Sequence, residues 1–261
     1  DNAGAVNLVK TGAGTLILSG ANSYTGNTYI NAGTIQVTAD SVFGAAPSTP
    51  TANLVFQGGG LSALSSFTLD ANRSILLGAD SIIDAATGAT LTVAGTVSGP
   101  FALTKTGAGT VVLGAADTFT GNTRIAAGSL TLGNAGSLTN STLDLNTADL
   151  GTLSFGTLTA ATAGGLQGTR ALTLSNDAGT PAAVRLTVGG NNQSTAYSGV
   201  LGGLGGITKN GTGGLALSGA NAFTGGVTLD AGTLDVNGPG ALGSGNLTLN
   251  AGTLDNTSGA A

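Results

Sequence analysis

Short stretches of alternating apolar and polar residues run along the whole chain. In residues 28–30, 123–125 and 227–229, the first and third positions are small or apolar, while the middle position is Tyr, Arg or Thr. A spacing of two with a variable middle position predicts a β-strand that buries one face and exposes the other to water. Glycine-rich turns bound these stretches, so the predicted strands are about four or five residues long.

A longer phrase recurs three times without insertion, over residues 8–37, 103–132 and 207–236. In each copy a Gly-x-Gly follows a Lys, an aromatic residue lies 14 positions after the Lys, and the glycine of an Ala-Gly pair lies 23 positions after it. The members in chain order are Lys10, Lys105 and Lys209, then Tyr24, Phe119 and Phe223, then Gly33, Gly128 and Gly232. Repetition in fixed register predicts a repeat architecture.

The chain is predicted to be all-β. No ten residues show the 3.6-residue period of a helix, and each glycine would weaken a helix by about 1 kcal/mol. No shift in composition divides the chain, so residues 1–261 are predicted to form one continuous segment. A β-sandwich has longer strands and a richer aromatic core than three Tyr and seven Phe provide. Short strands with glycine corners favour a parallel β-helix (β-solenoid) with roughly 20 residues per coil.

Composition excludes several classes of protein. With 41% hydrophobic and 7% charged residues, the chain is not a disordered polar polymer. A net charge of −5 with four scattered arginines gives no basic stripe, so nucleic acid is not an expected partner. No apolar run reaches about 18 residues, so this segment is not expected to insert into a membrane. Asp1 begins directly in polar sequence, so any signal peptide is expected to be missing or already removed.

The repeated phrase resembles the passenger-associated strand repeat of bacterial autotransporters, the type V secretion family. The resemblance rests on Lys-Thr-Gly-Ala-Gly-Thr from Lys10, Tyr-Thr-Gly from Tyr24 and Ala-Gly-Thr-Ile from Ala32, each with counterparts in the other two copies. It implies a right-handed, single-stranded parallel β-helix, extracellular display on a Gram-negative bacterium, and a C-terminal translocator barrel that these residues do not contain. The repeat is tied to folding and secretion of a stalk, so it does not fix one activity.

The lysines of the repeats are the only lysines in the chain. They are predicted to be solvated turn residues that block side-to-side pairing of strands, in preference to a ligand-binding role. The Gly-x-Gly after each lysine is predicted to be a β-corner and not a phosphate cradle, because no helix opens there.

Paired carboxylates are the remaining catalytic candidates, since glycoside hydrolysis uses two carboxyl groups at a set separation. The pairs are Asp80 with Asp84, Asp144 with Asp149, and Asp230 with Asp235. No Arg, Lys or aromatic platform accompanies them, so they are predicted to be solvated. The chain has no His or Cys, and the calcium-repeat pattern Gly-Gly-x-Gly-x-Asp does not occur. No catalytic, cofactor or metal role is therefore expected.

The aromatic residue of each repeat is predicted to pack under a turn. Variable, outward strand positions supply the candidate surface contacts, Tyr29, Arg124, Gln36 and Asp235. Residues 39–50, which contain Pro47 and Pro50, are predicted to project from the scaffold as a loop.

These features predict a secreted cell-surface β-solenoid that acts as a structural stalk or adhesin without catalysis. Its outward Thr, Asn and Ser side chains would contact glycans or proteins of a host or neighbouring cell. Neither end shows a polar cap, so a filament subunit formed by end-to-end stacking is an alternative. A third interpretation of the sequence is a β-helical enzyme that acts on polysaccharides.

Overall fold

The computed structural model describes residues 5–258. The predicted segment 1–261 extends beyond these residues at both ends, so Asp1 lies outside the described range. Within this range there are 28 β-strands, one 3-10 turn, η1 (Asp40–Phe43), and no α-helix. The strands are β1 (Leu8–Lys10), β2 (Thr15–Leu18), β3 (Thr28–Ile30), β4 (Thr34–Val37), β5 (Thr51–Phe56), β6 (Gly60–Ala63), β7 (Phe67–Leu69), β8 (Arg73–Leu77), β9 (Ser81–Ala85), β10 (Thr90–Val93), β11 (Val97–Ser98), β12 (Leu103–Thr106), β13 (Thr110–Leu113), β14 (Thr123–Ile125), β15 (Ser129–Leu132), β16 (Leu138–Leu145), β17 (Thr152–Ser154), β18 (Ala160–Gly168), β19 (Leu172–Thr173), β20 (Arg185–Val188), β21 (Thr195–Tyr197), β22 (Leu201–Gly202), β23 (Gly206–Lys209), β24 (Gly214–Leu217), β25 (Val227–Leu229), β26 (Thr233–Val236), β27 (Leu247–Leu249) and β28 (Thr253–Asp255).

The described residues divide into two compact units, the first comprising residues 5–131 with 150–152 and the second residues 132–149 with 153–258. In the first unit, parallel strands stack in the orders β1-β3-β5-β8-β11, β2-β4-β6-β9-β12-β14 and β7-β10-β13. Partner strands lie one coil apart, so that Leu8 is opposite Thr28. This pattern is a parallel β-solenoid.

The second unit is built in the same way. Its strands pair in the orders β16-β18-β20-β23-β25-β27, β18-β21-β24-β26-β28 and β19-β22. Its coils differ in length, since Leu215 is opposite Leu234, whereas Leu172 is opposite the more distant Leu201. The named strands pair in parallel, and an isolated bridge between Ser175 and Ala183 is antiparallel. Parallel pairing of the strands excludes the sandwich and confirms the all-β parallel β-helix. The right-handed winding and the single continuous segment stay predictions.

Alternate residues of the strands face the interior, as the spacing of two predicted. In β4, Ile35 and Val37 are fully buried, while Gln36 is partly exposed. Ile35 stacks on Leu61 and Leu61 on Ile83 in successive coils, and all three are 0% exposed. Burying such a side chain stabilises the fold by roughly 1.5–3 kcal/mol. Each coil therefore gains its stability from the coils on either side of it.

Three strands are longer than the predicted four or five residues, and the first of them, β5, has 6. Strand β16 has 8 residues and β18 has 9. The prediction failed at β18 because its Ala-Ala-Thr-Ala-Gly-Gly sequence has few of the β-branched residues that favour strands. A Cβ atom on Gly164 would lie 2.6 Å from the carbonyl carbon of Asn140. The absence of side-chain atoms is what lets this strand lie against its neighbour.

The first half of residues 39–50 does not project as predicted, because a buried cation holds it down. Residues 45–50 form no helix or strand and are mostly exposed. Arg73 in β8 is 0% exposed, and its Nε lies 2.8 Å from Oδ1 of Asp40 in η1. Its guanidinium also donates to the carbonyl oxygens of Phe43 at 3.1 Å and Gly44 at 3.0 Å, and lies 5.7 Å from the ring centroid of Phe43. Phe43 is itself fully buried. The loop prediction was wrong for the first half because the anchor, Arg73, is distant in sequence and reaches the segment only in the folded chain.

Candidate functional site

Each repeat has a corner in which the lysine ammonium group is enclosed by backbone carbonyl oxygens. Lys105 Nζ donates to the carbonyls of Thr106 at 2.5 Å, Gly107 at 2.8 Å and Ala127 at 3.1 Å. The other two corners have the same arrangement: Lys10 donates to Thr11, Gly12 and Ala32, and Lys209 donates to Asn210, Gly211 and Ala231. Two acceptors belong to the same corner as the lysine and one to the next coil, so the ammonium group joins two coils. We call this arrangement the lysine corner.

The prediction that these lysines are solvated is wrong. Lys10, Lys105 and Lys209 are 7%, 1% and 0% exposed. Lys105 lies between Ile83 and Ile125 in an inward row. The sequence held a signal for this, since each lysine follows a buried or half-buried Leu or Ile by two residues, which places it on the inward face. The spacing of two, and not the charge of the side chain, correctly indicates the inward position of each lysine.

The fixed spacing between the Lys and the Gly of each repeat follows from the lysine corner. Gly128 has φ +66°, and a Cβ atom there would lie 2.8 Å from Lys105 Nζ and would clash with the carbonyl oxygens of Gly107 and Gly109. Gly33 and Gly232 have φ +67° and +71° and would meet Lys10 and Lys209 in the same way. Only glycine tolerates both this backbone conformation and this approach.

Asp84 lies beside the middle lysine corner on the outer surface. Its carboxylate accepts hydrogen bonds from Ser62 Oγ at 2.8 Å and Thr106 Oγ1 at 3.0 Å. Burial lowers the pKa of Lys105 to about 8, and the charge of Asp84 opposes that shift. Burial also lowers the pKa of Lys209. The three carbonyl acceptors favour the charged ammonium form and act in the same direction as Asp84.

The aromatic position behaves as predicted in two repeats. Phe119 and Phe223 are 1% and 0% exposed, and a Cβ atom on Gly243 would lie 3.2 Å from the ring of Phe223. Tyr24 is only half-buried, and its hydroxyl lies 2.7 Å from Thr28 Oγ1. Burial raises the pKa of Tyr24, while the hydrogen bond to Thr28 opposes the shift. These residues are structural.

Sequence reasoning missed a polar position that lies between the lysine and the aromatic residue of each repeat, occupied by Asn22, Asp117 and Asn221. We call it the link position. Asn221 is 8% exposed and bonds to both neighbouring coils: its Oδ1 accepts from Leu201 N at 2.7 Å, and its Nδ2 donates to Ala241 O at 2.6 Å. The signal was a polar residue at one fixed offset from the lysine in all three copies.

An outward polar row crosses four coils of the first unit. It consists of Gln36, Ser62, Asp84 and Thr106, which are successive Cα partners, and we call it the outward row. Beside it, Gly60 interrupts the neighbouring row and leaves a shallow depression of about 290 Å³ next to Ile82. The walls of the depression carry hydroxyl, amide and carboxylate groups over an aliphatic floor.

The four predicted surface contacts do not form one cluster. Gln36 and Arg124 lie on the same sheet, whereas Tyr29 lies on the sheet of β1, β3 and β5. Arg124 is exposed, and Tyr29 and Gln36 are partly exposed. Asp235 lies in the second unit, in register with Ala216 and Asp255.

The aspartate pairs are mostly engaged in the scaffold. Asp80 accepts from the Ala102 amide at 2.9 Å, and Asp230 accepts from Asn250 Nδ2 at 2.8 Å. Asp149 is 2% exposed and accepts from Asn146 Nδ2 at 2.8 Å, so the prediction of a solvated carboxylate is wrong there. Residues 5–258 contain no group of three or more His, Cys, Asp or Glu side chains that could hold a metal ion. No helix in that range is long and apolar enough to cross a membrane.

Comparison with known proteins gives two matches. The model of the passenger-associated-transport-repeat matches residues 8–37, 103–132 and 207–236, the three segments that contain the lysine corners. The adhesin BmaC autotransporter of Brucella suis biovar 1 (strain 1330) is 43% identical over 120 residues, which is 46% of this chain and 3% of the relative. No solved structure matches the chain. Passenger repeats imply a secreted or surface location. The chain therefore carries three passenger-associated-transport-repeats on a parallel β-solenoid and has distant homology to an autotransporter adhesin.

Proposed function

We propose that the chain is part of a cell-surface stalk or adhesin of a Gram-negative bacterium and performs no catalysis. The observation that carries this proposal is the lysine corner, present in all three repeats. It uses every lysine of the chain to join one coil to the next, which is a structural task. Distant homology to a protein named an adhesin supports a role at the cell surface.

The outer surface favours neutral, hydrogen-bonding partners. The outward row presents the amide of Gln36, the hydroxyl of Thr106 and the carboxylate of Asp84, while Ser62 is 4% exposed and donates to Asp84. The depression beside the row has an aliphatic floor. Glycans or proteins on a host or neighbouring cell are the proposed partners, because such surfaces offer hydroxyl and amide groups. Gln36, Tyr29, Arg124 and Asp235 are the proposed contact positions, and nucleic acid is not a proposed partner.

An adhesion assay tests this role. The native protein displayed on its own cells would be compared with Gln36→Ala and Arg124→Ala variants for binding to immobilised neutral glycans and to neighbouring cells. Replacing a contact residue should lower binding by about fivefold or more, equivalent to about 1 kcal/mol. Thr248→Ala, an exposed strand position outside the first unit, is the matched control. If the protein is displayed on the cells and binds neither the glycans nor the neighbouring cells, it acts as a stalk alone.

Electron microscopy of the native protein, taken from its cells without refolding, separates this proposal from the filament. Individual surface-attached molecules support a stalk or adhesin. Regular fibres with an axial repeat near one chain length would overturn it in favour of end-to-end assembly. If the protein cleaves a polysaccharide and the Asp80→Asn or Asp84→Asn variant no longer does, the proposal that it performs no catalysis is overturned.

A further inference from the structure

The link position of a repeat can bond to the coils on both of its sides. In the third repeat, Asn221 accepts from the coil before it and donates to the coil after it, with each partner 20 residues away. In the first repeat, Asn22 Nδ2 donates to Val42 O at 2.7 Å, again 20 residues further on. A carboxamide suits this position because it has an acceptor on one side and a donor on the other.

The middle repeat has Asp117 at the link position. Its Oδ1 accepts from the Val97 amide at 2.7 Å, so the acceptor half of the link is the same as in Asn221. Its Oδ2 has no hydrogen-bond partner, although the residue is only 4% exposed. An ionised carboxylate has no donor, so it cannot make the second half of the link. A protonated carboxyl group has one, in the form of its O–H.

We propose that Asp117 is a protonation-dependent stabilising residue of the middle repeat, in which the neutral carboxylic acid takes the place of the asparagine carboxamide. The repeat is then most stable in mildly acidic surroundings, because ionisation leaves a charged Oδ2 buried without a donor. This device does not depend on whether the solenoid serves as a stalk or as an adhesin.

The electrostatic surroundings agree with this assignment. Burial raises the pKa of Asp117 to about 7, and the hydrogen bond from Val97 opposes the shift. Residues 94–101 and 113–121, which form the two sides of this contact in the first unit, contain no other ionisable side chain. The preceding coil carries Arg73, which is paired with Asp40. No charged group is therefore among the causes of the shift.

The direction of the pH dependence follows from linkage. Asp117 has a folded-state pKa above its unfolded value, so the folded chain binds a proton that the unfolded chain releases. Its contribution is fully present below the unfolded pKa of about 4 and is lost as the pH rises through about 7. Between pH 5 and pH 8 the unfolding equilibrium constant should rise by roughly 100-fold on account of this group.

The test uses the full chain and exchanges the two residue types between repeats. Wild type, Asp117→Asn and Asn221→Asp would be unfolded with urea at pH 5, 6, 7 and 8, with Asp80→Asn as a control for removal of one exposed aspartate. Asp117→Asn should fold, since two repeats already have Asn there, and should lose the roughly 100-fold pH response. The Asn221→Asp variant should become less stable toward pH 8 by a similar factor.

A direct titration accompanies the unfolding series. Carbon-13 NMR of the Asp117 carboxyl group should show the protonated form at pH 5 and a midpoint near neutrality. Equal pH profiles for wild type and Asp117→Asn would overturn the proposal, as would a carboxyl group already ionised at pH 5. An Asn221→Asp variant that folds at pH 5 and not at pH 8 would support it.

Discussion

The ammonium group of Lys105 lies 3.1 Å from the carbonyl oxygen of Ala127, which is 22 residues further along the chain. Lys10 and Ala32 stand at 3.0 Å in the first repeat, and Lys209 and Ala231 at 3.1 Å in the third. The same bond at the same separation in three places explains why the three copies share one spacing between these residues. The lysine is therefore a structural determinant of the coil.

Replacing Lys105 with Met should destabilise the protein by roughly 2–4 kcal/mol, because three carbonyl oxygens lose a charged donor. The desolvation penalty of the buried cation is removed at the same time, and this keeps the loss below the sum of three bonds. Urea unfolding measures the change, with Ala108→Ser at the exposed tip of the same corner as the control. Stability equal to that of the control would show that the ammonium group contributes nothing net.

Gly128→Ala should destabilise the protein by about 3 kcal/mol or more. The substitution adds a clash with two carbonyl oxygens to the strain of a backbone at φ +66°. Gly88→Ala is the matched control, because Gly88 has φ +78° and no atom within 4 Å of its added Cβ. The control isolates the backbone term, which should be about 1–2 kcal/mol. Equal losses at both positions would contradict the steric role of Gly128.

Arg73→Met should release the segment that follows η1. Removal of the guanidinium leaves the Asp40 carboxylate and the carbonyls of Phe43 and Gly44 without their partner, a loss of about 3–5 kcal/mol for a buried ion pair. Limited proteolysis should then cleave within residues 44–50 faster than it does in the wild-type chain. Ser48→Ala changes an exposed residue of the same segment and should leave the cleavage pattern unaltered. A resistant Arg73→Met segment would mean that packing of Phe43 suffices.

Asp84→Asn should lower the pKa of Lys105 further below about 8, because the carboxylate that opposes the effect of burial is removed. NMR titration of the lysine Cε signal measures this change. Asp80→Asn removes a charge at an exposed position and serves as the control. A Lys105 pKa unchanged by Asp84→Asn would show that the carbonyl oxygens alone hold the ammonium charge.

Much of the fold could be predicted from the sequence because it depends on local spacing. Alternation at residues 28–30 and 123–125 identified strands with one buried face, and glycine corners between them identified short coils. The fixed offsets of Lys, aromatic and Gly identified the repeat itself. These features are properties of neighbouring residues. In a strand with a period of two, the apolar side chains all lie on one face, so few registers can bury them.

The tertiary structure decided the roles of the polar residues. A lysine at a glycine corner is compatible with either solvation or burial, and only the arrival of Ala127 from the next coil supplies the third acceptor that makes burial favourable. The same applies to Arg73 and Asp40, which meet across 33 residues, and to Asp117, which meets Val97 across 20. Sequence spacing determined which face each side chain occupies. Whether a charge on that face finds a partner depends on the register between coils, which the folded chain alone fixes.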